Sequence, residues 1–201
     1  MSDPIKFYYA CISPWSYMAV DALKALADKH GREIAYKPTH VGRQWQTTSA
    51  GRPLGDRPEV LQAYRLVELP RWAEWRGIPV NSKPKHFPAP FLLSSGVIIA
   101  AGQAGADMYG ITRALARGCW VDEKNIGDPD DVAAIADSVG LDGAALVAAA
   151  ESDAVTAELE ANTDESLADG AWSVPSFVVD GELFFGQDRL EMMDWRLTDT
   201  K

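Results

Sequence analysis

The stretch Phe7-Tyr8-Tyr9-Ala10-Cys11-Ile12-Ser13-Pro14-Trp15-Ser16-Tyr17 constrains the fold most, because a strand signal and a helix start meet within a few residues. Ile5 to Ala10 is short, apolar and aromatic, bounded by Pro4 and Ser13-Pro14, and reads as a buried strand. Ser13 is a good helix N-cap and Pro14 a good first helical residue, since its missing N–H would be unpaired there anyway. Tyr17, Val20, Leu23 and Leu26 then recur at helical spacing, and Gly31 suits a helix stop. Glu33 to Lys37 reads as a second strand through Ile34 and Tyr36. Strand, helix, strand is a βαβ unit, whose parallel strands need a crossover of this kind.

The middle of the chain is helical. Residues 42–56, rich in Gly, Thr, Ser and Pro, are expected to form a loop. Helices are expected at about 57–76, 97–118, 129–139, 142–150 and 152–168. Val60, Tyr64 and Val67 mark an expected core face on the first of them, which Pro70 should kink or restart. Residues 78–90 carry Pro79, Pro84, Pro88 and Pro90 and read as a loop. Near the end, Ser176 to Asp180 and Glu182 to Phe185 flank an Asp-Gly turn, a hairpin signal, before a last helix over about 188–197. The order is β-α-β, a helical block, then β-β-α. That order predicts an α/β, thioredoxin-like fold assembled from residues 1–41 and 170–201, interrupted by a helical insertion over 42–169.

Nineteen Lys and Arg against 29 Asp and Glu give a net charge of −10, which argues against nucleic acid or an anionic membrane surface as a partner. The N-terminus lacks the pattern of a secretory signal, and the longest apolar run is too short to span a bilayer, so the cytoplasm is the expected compartment. Two cysteines are too few for a disulfide framework, and the three histidines show no ligand spacing, so no metal is expected. Cys11 reads as a small buried core residue and Cys119-Trp120 as packing.

A helix N-terminus offers free N–H groups and the positive end of the dipole, a setting that suits a thiolate. Ser13 and Ser16 stand where a thiol oxidoreductase would carry Cys-x-x-Cys. A thiolate at this place would therefore have to come from a ligand, and glutathione is the obvious candidate.

Four segments carry a resemblance that spans nearly the whole chain. They are Ser13-Pro-Trp-Ser-Tyr17, Leu69-Pro-Arg-Trp-Ala73 with Gly77-Ile-Pro79, Lys85-His-Phe-Pro88, and Val174-Pro-Ser-Phe-Val178 followed by Gly181-Glu-Leu-Phe-Phe-Gly-Gln-Asp-Arg-Leu190. The chain resembles the 2-hydroxychromene-2-carboxylate isomerase family, relatives of kappa-class glutathione transferases and DsbA-type thioredoxin folds. The resemblance implies a glutathione-dependent isomerase of an aromatic carboxylate, acting in aromatic-compound catabolism as a homodimer. It implies that Ser13 donates a hydrogen bond to the glutathione sulfur and that Val174-Pro175 is a cis peptide whose backbone pairs with the cysteinyl unit. It further implies that Phe185, Gly186, Gln187, Asp188 and Arg189 receive the γ-glutamyl end.

On the substrate side, no lysine stands where family members carry one in the loop after the second strand. Arg43, Arg52 or Arg57 is left to supply a cation, Trp15 and Trp45 aromatic walls, and His86 falls near a family tyrosine. Two alternatives follow from the same residues: a kappa-like glutathione transferase, and a ligand binder without catalysis on the same scaffold. A disulfide oxidoreductase ranks last, because Ser13 and Ser16 remove both thiols.

Overall fold

The computed structural model describes residues 3–199. Strand β1 (Ile5–Tyr9) runs into helix α1 (Pro14–His30), which returns the chain to a parallel neighbour, β2 (Ile34–Pro38), with Phe7 opposite Tyr36. The chain comes back late as β3 (Ser176–Val179), antiparallel to β1, and β4 (Glu182–Phe185), antiparallel to β3. The order β2-β1-β3-β4 puts β1 inside the sheet. Asp180 and Gly181 both take positive φ, 50° and 79°, the geometry that the expected Asp-Gly turn needs.

Ile5, Phe7, Tyr8 and Tyr9 of β1 are buried on its two faces, so the strand is mostly apolar and aromatic rather than alternating, with Lys6 alone partly exposed. On one face, Phe7 stacks on Tyr9 at 4.4 Å and on Phe177 at 5.3 Å, and Tyr36 meets Phe7 edge-on at 6.1 Å. These rings belong to a core shared with α4 (Leu92–Gln103) and α5 (Met108–Trp120), and α5 packs on α1. On the other face, Tyr8 and Val178 pack with Ala171. There the Tyr8 hydroxyl donates to Asp169 at 2.7 Å, just beyond α8 (Asp153–Ala168). Lys6 bridges Asp169 at 2.7 Å and Glu165 at 2.9 Å, and Lys37 reaches Glu165 at 2.7 Å. This polar seam ties β1 and β2 to α8.

The remaining elements are α2 (Val41–Thr48), α3 (Glu59–Arg76), α6 (Pro129–Ser138), α7 (Gly143–Ala149) and α9 (Leu190–Asp199). No described helix is long and apolar enough to cross a membrane.

Three expectations need correction. The region expected to be a loop opens with α2. The His40 ring caps it by accepting the Arg43 N–H at 3.2 Å, and its fully buried Gln44 donates to Ser166 Oγ at 2.9 Å and to the Ala171 carbonyl at 3.0 Å. Those partners are more than 120 residues away in sequence, so composition could not show them. The single helix expected over 97–118 is two, broken where Gly105 takes φ 76° and Asp107 caps α5.

Helix α3 passes through Pro70 as one element, and Val60, Tyr64 and Val67 are 72%, 57% and 44% exposed. Its inward residues are Leu69 and Ala73, while Leu61 and Arg65 face the cleft described below.

Gln44→Leu leaves the Ala171 carbonyl buried without that donor, so it should cost about 1–3 kcal/mol in denaturant unfolding. A loss under about 0.5 kcal/mol would show that α2 does not depend on this anchor.

Candidate active site

The cleft lies where β1 gives way to α1. Ser13 leaves the strand with φ −86° and ψ 121°, and its Oγ accepts the Ser16 N–H at 3.2 Å, as an N-cap should. The preceding turn is held by the Ser13 N–H on the Ala10 carbonyl at 2.9 Å. The buried Trp120 donates its indole N–H to the Cys11 carbonyl at 2.9 Å, and Tyr17 donates its hydroxyl to the Pro79 carbonyl at 2.8 Å. Ser13 is therefore placed by four bonds around it, and its own O–H proton goes to no described residue. One turn further in, the Ser16 hydroxyl is buried without a partner.

The cleft has a volume of about 980 Å³. Ser13 and Trp15 come from α1, Trp45 from α2, Arg52 and Arg57 from the segment that follows, and Val174 and Phe185 from the β3–β4 end. The Val174-Pro175 bond is cis, and so is Phe87-Pro88, which the sequence did not signal. The Trp45 indole donates to Ser173 Oγ at 2.9 Å, which fixes the wall next to Val174. Gly51 lies under the Trp45 ring so closely that any Cβ there would collide with it.

Other expected residues stand off the lining. Arg43 is turned away: its guanidinium holds Glu160 at 2.6 Å and Asp164 at 2.5 Å on α8. His86 is on the side of Asp131, a carboxyl held below its usual range first by Lys124, with His86 a weaker contributor. The Pro175 carbonyl accepts the Gly186 N–H at 2.9 Å. Gly186 has φ 103°, which favours glycine, and a Cβ there would meet the Asp188 carboxylate. The Gln187 side chain is buried and accepts from Arg76 at 2.9 Å, and the Asp188 carboxylate pairs with Arg189 at 2.7 Å. Residues 186–189 thus form a turn next to the cleft residue Phe185, anchored to Pro175 and Arg76.

Arg65, on α3, lines the cleft and was not singled out from the sequence. Its guanidinium lies 5.0 Å from the Phe87 ring and 5.5 Å from that of Trp120. Its Nη2 is buried with no hydrogen-bond partner. Burial, and after it the neighbouring charge of Arg57, lowers its pKa to about 10. The sequence signal was hidden, because Val60, Tyr64 and Val67 suggested a different inward face.

Neither cysteine lines the cleft. Burial raises the Cys119 thiol to about 12, with Glu123 adding to it. Burial also raises the Cys11 thiol, with Cys119 adding to it. Neither is a nucleophile in the folded state.

The model of the DSBA-like thioredoxin domain matches residues 4–198. A 2-hydroxychromene-2-carboxylate isomerase from Sphingobium xenophagum is 30% identical over 206 residues, covering 99% of this chain and 100% of that protein. The chain belongs to this isomerase family of DSBA-like thioredoxin proteins. A solved 2-hydroxychromene-2-carboxylate isomerase superposes with a TM-score of 0.83 at 24% identity, over 97% of this chain and 94% of the other, and thereby supports the fold. Glutathione S-transferase kappa 2 from Caenorhabditis elegans is 28% identical over 202 residues, 92% of this chain and 88% of that protein. The DsbA-type thioredoxin fold expected from the sequence is therefore the fold of this family member.

Among DSBA-like proteins this one should be thiol-inert. Ellman's reagent at mildly alkaline pH should label neither cysteine of the native protein and both after denaturation. Rapid native labelling would place a reactive thiol in the molecule and revive the disulfide oxidoreductase reading.

Proposed function

We propose that this protein is a glutathione-dependent cis–trans isomerase of a conjugated aromatic carboxylate, of the 2-hydroxychromene-2-carboxylate kind. The observation that carries the reading is the Ser13 hydroxyl, fixed at the α1 N-terminus on a largely apolar cleft in which the protein supplies no thiol. The relatives named as isomerases support it. Bound glutathione would supply the nucleophilic thiolate that the protein itself lacks, the chemistry that reversible addition to a conjugated substrate requires.

The chain's own residues then have definite tasks. Ser13 donates its free O–H to the sulfur while its lone pair keeps the Ser16 N–H. The α1 dipole and the hydroxyl together favour the thiolate over the thiol. Val174 presents its backbone at the cleft for the cysteinyl unit. Asp188 offers a carboxylate to the γ-glutamyl ammonium by exchanging its exposed partner Arg189, and the amides of residues 187 and 188 receive the carboxylate end. Trp15, Trp45 and Phe185 wall the cleft against water.

The reading places the protein in aromatic-compound breakdown in the cytoplasm, where glutathione is abundant. It acts as a homodimer, for which the exposed Val60, Tyr64 and Val67 of α3 offer apolar surface. The kappa-class relative favours one competing reading, a glutathione transferase. A glutathione adduct that accumulates as product would select it.

Ser13→Ala and Ser13→Gly should each lower isomerisation of 2-hydroxychromene-2-carboxylate about 10–100-fold and abolish the ultraviolet absorbance of bound thiolate near neutral pH. The glycine variant keeps most of the helix cap, with a loss of a few tenths of a kcal/mol, so a shared loss of turnover is not unfolding. Full turnover in both would end the thiolate-activation reading. Sedimentation velocity should report a dimer at micromolar concentration.

A further inference from the structure

The arginines divide into two groups. Among the described residues, every arginine outside the cleft holds a carboxylate, as Arg32 holds Asp180 and Arg76 holds Glu191. The three that line the cleft, Arg52, Arg57 and Arg65, have no carboxylate partner, and the cleft lining contains no Asp or Glu. In a chain with 29 acidic residues and a net charge of −10, a sizeable cleft with cations and no acid is a marked separation of charge.

We propose that Arg57 and Arg65 form a subsite for the carboxylate of a planar aromatic acid, with Phe87 and Trp45 flanking its ring. The proposal deepens the isomerase reading, on which it rests for the nature of the substrate. Arg65 carries most of the argument. Its buried Nη2 has a proton to give and nothing in the protein to receive it, a costly arrangement that an anionic ligand would resolve. Its guanidinium is pinned over the Phe87 and Trp120 rings, so the fork is oriented before any ligand arrives.

Arg57 is fixed likewise. Its Nε donates to the Arg52 carbonyl at 3.0 Å and its guanidinium lies 5.7 Å from the Trp45 ring centre. Two cations close enough to perturb one another, with no counter-ion between, ask for one anion that both can bind. Desolvation in the cleft strengthens such a contact. The aromatic neighbours favour an aryl acid over a small inorganic anion.

The same chemistry could be met by the glycyl carboxylate of glutathione, so the test must tell the two sources apart. Calorimetric titrations would use trans-2-hydroxycinnamate, its methyl ester and reduced glutathione, each alone, on the wild type, Arg65→Gln, Arg57→Gln and Arg43→Gln. The wild type and Arg43→Gln, whose guanidinium is engaged on α8, should bind the acid at least about tenfold more tightly than the ester. Arg65→Gln and Arg57→Gln should lose that preference and keep wild-type affinity for glutathione.

Equal binding of acid and ester by the wild type, or no binding of the acid, would overturn the subsite. So would variants that weaken glutathione and leave the cinnamate preference intact. Acid selectivity without any turnover or glutathione binding would sustain the subsite and remove the isomerase reading. Arg57 lies outside helix α3, so Arg57→Gln decides the matter if Arg65→Gln fails to fold.

Discussion

The hydrogen bond from the Trp120 indole to the Cys11 carbonyl holds the junction on which the rest of the molecule depends. It joins the last residue of α5 to the turn between β1 and α1, and it is made in a place with no water to compete. The Ser13 side chain accepting from Ser16 and the Ser13 amide bound to Ala10 hold the turn from both sides. The first amides of α1, which a helix always leaves short of partners, are thereby aimed at a fixed spot. The helical block therefore buries the sheet and also holds the place where a thiolate would sit.

The cleft works by division of labour between charge and apolar surface. The sheet end and α1 supply a hydroxyl and helix-end amides, whereas the segment after α2 and the helix α3 supply arginines without acids. Opposing acids would have neutralised the guanidiniums, as they do at Arg43 on α8. Placing Arg65 between aromatic rings keeps it oriented at the cost of leaving a polar atom unpaired. A ligand with a negative, planar end would offset that cost, which is the physical basis of the proposed subsite.

Signals that act over a few residues were legible. The Ser13-Pro14 cap, the Gly31 stop and the Asp-Gly hairpin all appear where local backbone chemistry requires them. Ser13, Trp15, Trp45, Arg57, Val174 and Phe185 line the cleft, and apart from Ser13 it was the family resemblance rather than spacing that drew attention to them. What escaped depends on distant partners. Helix α2 forms because Gln44 finds Ser166 and Ala171. The apolar stripe on α3 faces outward because the helix lies across the cleft, with Arg65 inward.

By itself the sequence determined the βαβ start, the closing hairpin, the absence of a thiol at the helix end and the two capped ends of α1, since each rests on backbone needs met within a few residues. Only the tertiary structure decided which cations are neutralised and which remain free. Arg43 and Arg65 are equivalent as letters, and their difference comes entirely from the neighbours that folding brings: Glu160 and Asp164 for one, two aromatic rings and no acid for the other. Charge pairing at a few ångströms depends on three-dimensional proximity, which sequence spacing does not encode.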